Sequence, residues 1–186
     1  MNDSGETAGA CFLRETRTRF QGLKKLADGA IVQVPDADRF HTLHPEGNSI
    51  AVLMKHMAGN MRSRWVNFLT TDGEKPDRHR DTEFELDAHD TAAALQERWE
   101  AAWQILFDAL DPLTEADLMR TIFIRGQAHT VISAIQRQFS HYAYHIGQIV
   151  QLARYLRGDD WQTLSVPRGQ TEAFNAKMRA QTGKSF

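Results

Sequence analysis

Apolar residues recur every three or four positions in four long stretches of the chain, a period that predicts amphipathic α-helices. The predicted helices span residues 10–27, 49–70, 90–110 and 131–156. The second helix follows Ser49, a residue type that commonly caps helix N-termini. Four helices with apolar stripes of this length predict an all-α fold built as a four-helix bundle.

The stretches between these helices predict shorter features. Residues 71–90 are polar and predict an exposed connection, whereas the β-favouring run "TIFI" followed by Arg125-Gly126 predicts a short β-hairpin or extended loop within about residues 120–131. A short C-terminal helix is expected from about Thr171. Residues 1–9 are small and polar and are predicted to be a disordered N-terminus, which leaves residues 10–186 as a single helical domain.

Charge and cysteine content narrow the functional classes. The 186 residues include 22 Lys and Arg against 24 Asp and Glu, so the net charge is −2. The chain therefore lacks the excess of basic residues that is typical of nucleic-acid-binding proteins. The single cysteine, Cys11, excludes an intramolecular disulfide and a cysteine-based zinc site. We find neither a signal-peptide pattern at the start nor an apolar run long enough to span a membrane. The expectation is a soluble cytoplasmic protein that contacts neither nucleic acid nor membrane.

The fourth predicted helix carries His141 and His145 on one face, at the edge of its apolar stripe. Side chains four positions apart on a helix are about 5–6 Å apart at Cβ, so two imidazoles can converge on one metal ion. A zinc-protease motif would need a glutamate directly after the first histidine, and Tyr142 stands there. The competing interpretation is a pair of half-buried histidines that only hydrogen-bond to their neighbours.

A third metal ligand is available in the middle of the second predicted helix. His56, Asn60 and Arg64 lie on one polar line beside the apolar stripe. If both helices turn their polar lines toward one cavity, then His56, His141 and His145 form a three-histidine metal site. His41 and His44, in a proline-flanked loop, are alternative ligands.

Three polar residues near these histidines are candidates for substrate binding. Asn60 and Gln148 could hydrogen-bond a metal-bound water or fix the orientation of a ligand. Arg64 could hold an anionic group of a small-molecule substrate, or it could reach outward and pair with a surface acid. Because neutral imidazoles add no charge, a metal here would lower the pKa of a bound water or thiol and create a nucleophile.

Three segments resemble the DinB/YfiT-like superfamily of metal-dependent four-helix proteins, and most closely a branch of unknown function. They are "NSIAVLMKHMAGNMRSRWVNFLTTDGEKP" (48–76), "HYAYHIGQIVQLAR" (141–154) and "LSVPRGQTEAFN" (164–175). The superfamily pattern has one histidine on the second helix and an H-x-x-x-H pair on the fourth, which His56, His141 and His145 match. The resemblance implies a divalent metal, commonly zinc, nickel or iron, and it implies that homodimers are common.

These expectations combine into a metal-dependent enzyme that acts on a small molecule. Some members of the superfamily are thiol-dependent S-transferases or isomerases that use low-molecular-weight thiols, so one expectation is an S-transferase of this kind. The other expectation is a hydrolase that uses a metal-bound hydroxide as nucleophile. The alternatives are a non-catalytic metal- or ligand-binding bundle and a bundle in which the histidines only pack. For the homodimer, the four tryptophans and apolar positions on the first and third helices could contribute to an interface.

Overall fold

The computed structural model describes residues 5–184, and most of them are helical. The elements are α1 Ala8–Ile31, α2 Ile50–Trp65, α3 Ala92–Leu110, β1 Thr121–Ile124, β2 Gln127–Thr130, α4 Val131–Arg157 and α5 Thr171–Thr182. Short 3₁₀ helices occur at Asp36–Phe40, Arg80–Phe84, Glu115–Asp117 and Gly158–Asp160. Five α-helices and a two-stranded antiparallel sheet therefore make up the regular structure of the described residues.

The four long helices begin where a hydroxyl side chain can accept a free backbone N–H. Thr7, Ser49, Thr91 and Thr130 each occupy the N-cap and accept from the N–H three residues later. The predicted helices are confirmed, and only their ends differ. The first helix begins at Ala8, inside the segment predicted to be disordered, of which residues 1–4 lie outside the described residues.

The second helix ends at Trp65, five residues before its predicted end. Val66 is extended, and Asn67 has φ 50°, in the left-handed region that stops an α-helix. Asparagine tolerates this conformation better than most residues because its short side chain hydrogen-bonds locally. Periodicity did not mark this end, because the apolar Phe68 keeps the helical spacing and is buried even though it lies outside the helix.

The core forms where α2 packs against α3 and α4, and α1 packs against α4 and α3. Trp65, Trp99 and Trp103 are at most 2% exposed, and Trp161 is partly buried against the core. The expectation that the tryptophans contribute to an exposed interface is therefore wrong. Three of them face inward because their helical positions coincide with the buried stripes. None of the helices in residues 5–184 combines the length and the apolar character that crossing a membrane requires.

The predicted hairpin is present between α3 and α4. Strand β1 pairs with β2 in an antiparallel register, and Arg125 (φ 55°) and Gly126 (φ 73°) form its two-residue turn. The Gly73 N–H donates to the Phe123 carbonyl at 2.8 Å, which ties the hairpin to the segment after α2. As a result, the side chain of Arg125 lies beside that segment.

The polar connection between α2 and α3 is not simply exposed, contrary to the prediction. Glu83 is 6% and Asp90 is 4% exposed. Each carboxylate meets a positively charged or imidazole side chain of α2: Lys55 Nζ lies 2.7 Å from Asp90, and His56 Nδ1 lies 2.8 Å from Glu83. These contacts fold the connection back onto α2 and bring its charged residues to the histidine of that helix.

Candidate metal centre

The side chains of His56 from α2 and of His141 and His145 from α4 meet between the two helices. His141 Nε2 lies 3.4 Å from His56 Nε2 and 3.1 Å from His145 Nε2. One ligating nitrogen from each ring lies within 4.8 Å of the others, and no further group of three His, Cys, Asp or Glu residues does so within the described chain. The alternative ligands His41 and His44 are thus not part of a metal-binding cluster.

Hydrogen bonds on the far side of two rings determine which nitrogens face each other. His56 Nδ1 donates to Glu83 Oε2 at 2.8 Å, since an ionised carboxylate can only accept. His145 Nδ1 donates to Gln148 Oε1 at 2.8 Å. When His56 and His145 are neutral, their Nε2 atoms therefore carry lone pairs, and both atoms face the His141 ring. A metal-ligating histidine is typically held in this orientation by a hydrogen bond from its other ring nitrogen to a neighbouring acceptor.

The donor set fits a divalent transition metal. Three imidazoles at bond lengths of about 2.0–2.1 Å and tetrahedral angles have nitrogens about 3.3 Å apart. The two Nε2 separations of 3.1 and 3.4 Å bracket that spacing. Lone pairs at this distance repel one another unless a proton or cation lies between them, and one proton can bridge only one pair. Neutral nitrogen donors without a carboxylate suit zinc, nickel and iron.

The electrostatics of the site keep the histidines of α4 unprotonated. Burial, followed by the neighbouring His145 and His56, lowers the pKa of His141 to about 3. Burial also lowers the pKa of His145, although its hydrogen bond to Gln148 acts in the opposite direction. Both rings are therefore in the neutral form that a metal requires at neutral pH.

The metal-free protein is expected to lose stability as the pH falls from 7 to 5. In this interval the unfolded chain protonates His141 near its ordinary pKa of about 6.5, whereas the folded chain leaves it neutral down to about 3. The unfolded state then binds more protons, so the free energy of unfolding falls with pH, by no more than about 1.4 kcal/mol per pH unit for this group. Urea unfolding at pH 7, 6 and 5 measures the slope. A metal-free His141→Ala variant should show a shallower slope, and an equal one would contradict the assignment.

Glu83 and Arg78 support His56, and neither is among the site residues predicted from the sequence. Arg78 donates through Nε to Glu83 Oε1 and through Nη2 to Glu83 Oε2, both at 2.8 Å. Burial alone raises the pKa of Glu83, but the hydrogen bonds from His56 and Arg78 hold it below its usual value. Phe84 packs on the His56 ring with centroids 4.6 Å apart. The alternation of Phe84 and Leu86 with charged residues was the one sequence signal that this segment is half-buried.

The three predicted substrate-binding residues have distinct surroundings. Gln148 Oε1 accepts a hydrogen bond from His145 Nδ1 at 2.8 Å. The Tyr142 hydroxyl donates a hydrogen bond to Asn60 Oδ1 at 3.1 Å and accepts one from Trp65 Nε1. Because its proton is already engaged with Asn60, Tyr142 is not free to serve as a proton donor. Arg64 is only 5% exposed, and the alternative of a surface ion pair is wrong.

Arg64 is held in the interior by the segment that follows α2. Its Nη2 donates to Glu74 at 3.0 Å, and its Nη1 donates to the Gly73 carbonyl and to Ser63. It nevertheless borders a cavity of about 300 Å³ whose wall also includes Asn60, His56 and His141. The cavity gives the three-histidine cluster an open side next to polar and charged groups.

Residues 7–170 match the model of a family described as "Protein of unknown function (DUF1572)". The match includes all three histidines as well as Glu83 and Gln148. None of the curated proteins matches the chain.

Proposed function

We propose that this chain, which belongs to the DUF1572 family of proteins of unknown function, is a metal-dependent enzyme that acts on a small molecule. The observation that carries the proposal is the convergence of three histidine nitrogens, two of them fixed as lone-pair donors by Glu83 and Gln148. His56, His141 and His145 would hold one divalent ion, with zinc, nickel and iron as the candidate metals.

The protein's own residues have defined tasks in this proposal. A divalent ion held by neutral imidazoles keeps its full positive charge and supplies a Lewis acid. Glu83 keeps His56 in the required tautomer, and Arg78 keeps Glu83 ionised and in place. Gln148 keeps His145 in the same tautomer, with the proton on Nδ1. Asn60 turns its carbonyl toward Tyr142, which leaves its amide group as a hydrogen-bond donor at the cavity wall.

The fold that we infer is the four-helix bundle of the DinB/YfiT-like superfamily. The pairwise packing of α1, α2, α3 and α4 around one core supports it, as does the placement of one histidine on α2 and two on α4. The hairpin before α4 and the short helix α5 are additions to that bundle.

The cavity favours an enzyme over a non-catalytic metal-binding protein. A buried ion with a purely structural role needs no adjacent space, whereas here two of the three histidines border about 300 Å³. The candidate reaction classes are transfer of a low-molecular-weight thiol, which the resemblance suggests, and hydrolysis by a metal-activated water. A thiol-conjugation screen and a hydrolysis screen on the metal-loaded protein distinguish these classes. Absence of turnover in both would favour the binding protein.

Metal titration tests the proposal most directly. Metal-free protein is titrated with zinc, nickel and ferrous ions against a chromophoric chelator, and bound metal is counted by elemental analysis. We expect one ion per chain. A protein that binds none of the three, or binds several equally weakly, would contradict the site.

We further propose a homodimer, as the resemblance implies. Tyr144 and Tyr155 are 63% and 64% exposed and lie eleven residues apart on α4, so they share one solvent-facing side of that helix. Exposed aromatic residues on one face are typical of interfaces. Light scattering should give about twice the chain mass of 21.2 kDa, and a monomeric mass at high micromolar concentration would refute the dimer.

A further inference from the structure

The cavity beside the histidines is lined by an unusual concentration of positive charge. Among residues 5–184, its wall contains Arg64, Arg78, Arg80, Arg125 and Arg137 together with Asn60, His56 and His141, and no carboxylate. The arginines come from α2, the connection after it, the hairpin turn and α4. Guanidinium groups from four separate segments thus converge on one small space next to the proposed metal.

Nearby acids hold some of these arginines but do not balance the whole set. A single oxygen of Glu74, Oε2, accepts from Arg64 at 3.0 Å, Arg78 at 3.3 Å and Arg125 at 2.9 Å. Glu83 is bound to Arg78 and His56. Two carboxylates therefore serve three arginines, and the buried Nε of Arg64 has no hydrogen-bond partner.

The remaining two arginines are available to a ligand. Arg137 has no hydrogen-bond or ion-pair partner within residues 5–184. Arg80 lies 3.6 Å from Asp81, whose side chain is 97% exposed, and its guanidinium sits 5.0 Å from the centre of the Phe84 ring. Because Phe84 also packs on His56, this contact fixes Arg80 close to the histidine cluster.

We propose that this pocket binds the oxyanion group, a carboxylate or a phosphate, of the small-molecule substrate. Arg80 and Arg137 would contact the anion, while Glu74 and Glu83 hold Arg64, Arg78 and Arg125 in place behind them. Planar guanidinium groups match both oxyanions in bidentate geometry. The inference rests on the proposed function, because it names the substrate class of the same site.

The size and the surroundings of the pocket favour a small molecule over a polymer. A volume of about 300 Å³ lies at the lower end of ligand pockets. The chain as a whole has a net charge of −2, so it offers no general electrostatic attraction for a polyanion. A single anionic group fits such a pocket, with the rest of the molecule directed toward the histidines.

Calorimetric titration of the metal-free protein with inorganic phosphate and with succinate tests the proposal. Succinamide, the neutral diamide of similar size, is the ligand control. Arg137→Gln and Arg80→Gln change exposed side chains, and each is expected to weaken binding by about 10-fold or more, since one charge-assisted contact is lost. Arg154→Gln, another exposed arginine on α4, is the matched variant and should bind as the wild type does.

Binding of phosphate alone would identify a phosphate-bearing substrate, and binding of succinate alone a carboxylate. Either result supports the proposal if Arg137→Gln and Arg80→Gln weaken the binding of that anion. Equal binding of succinamide, no saturable binding, or unchanged affinity in the variant carrying both substitutions would overturn it. Metal titration of the same variants shows whether the anion pocket or the metal site has failed. The anion should bind without the metal ion, and the metal ion should bind without Arg80 and Arg137.

Discussion

Replacing both His141 and His145 with alanine is expected to abolish specific metal binding, and His56→Ala is expected to weaken it by at least about 100-fold. Structural zinc sites with four ligands have apparent binding free energies of about 10–16 kcal/mol, so one ligand accounts for roughly 3 kcal/mol. The Nε2 atoms of His56 and His145 face that of His141 across two helices, and no carboxylate or thiol of residues 5–184 lies within the same 4.8 Å cluster to replace a lost ligand. Competition with a chelator measures each affinity.

The stability of the variants separates a lost ligand from a lost fold. A metal ion at 100 times its dissociation constant raises the free energy of unfolding by about 2.7 kcal/mol. The wild type should show this gain when metal is added, and the double variant should not. Without metal the double variant should still unfold cooperatively, since neither histidine belongs to the apolar core and the hydrogen bond from His145 to Gln148 is the one bond lost by their Nδ1 atoms. His41→Ala, an exposed histidine outside the cluster, should bind metal as the wild type does. Unchanged affinity in the double variant would place the metal elsewhere.

The three histidines were predictable because helical periodicity fixes which side chains share a face. His141 and His145 lie one turn apart on α4, and His56 lies on the same line of α2 as Asn60 and Arg64. The pairing of the two helices followed from the resemblance and from the general packing of bundles. Nothing in spacing alone fixed the distance between α2 and α4.

Glu83 and the arginine pocket could not be predicted in the same way. Glu83 lies 27 positions after His56 in a stretch without helical period, where charged residues usually mean exposure. Its burial depends on partners that only the folded chain supplies. The same holds for Arg125 and Arg137, which reach the cavity from the hairpin turn and from α4. Gly59 permits the approach of Glu83, but a helix glycine alone does not predict such a contact, since Gly22 and Gly147 have nothing within 4 Å of an added Cβ.

Gly59→Ala is expected to weaken metal binding by about 10- to 100-fold although residue 59 has no side chain that could bind the metal. A Cβ at this position would overlap Glu83 Oε1 and lie 2.8 Å from Glu83 Cδ. The carboxylate cannot turn aside cheaply, because it is 6% exposed and is held by two hydrogen bonds from Arg78 and one from His56. Displacing it frees the His56 ring, and loss of such an outer partner typically costs 10–100-fold in affinity.

The effect of Gly59→Ala on the free energy of unfolding should have the opposite sign from that of a Gly→Ala change at an ordinary helical position. Alanine in place of an exposed helical glycine stabilises by about 0.8–1.0 kcal/mol. Gly147→Ala, in α4 with nothing within 4 Å of the new Cβ, should show that gain and keep the wild-type metal affinity. Gly59→Ala should instead lower the free energy of unfolding by roughly 1–3 kcal/mol, the size of the penalty for disrupting a buried polar group.

A double-mutant cycle identifies Glu83 as the group through which Gly59→Ala acts. Glu83→Ala removes the carboxylate that the new methyl group would strike, so Gly59→Ala should have little further effect on metal affinity in that background. Interacting sites of this kind show coupling free energies of about 0.5–3 kcal/mol. Chelator competition and urea unfolding on the wild type, the two single variants and the double variant give the coupling. Additive effects, or a Gly59→Ala protein with wild-type affinity, would show that the approach of Glu83 to this glycine does not position His56.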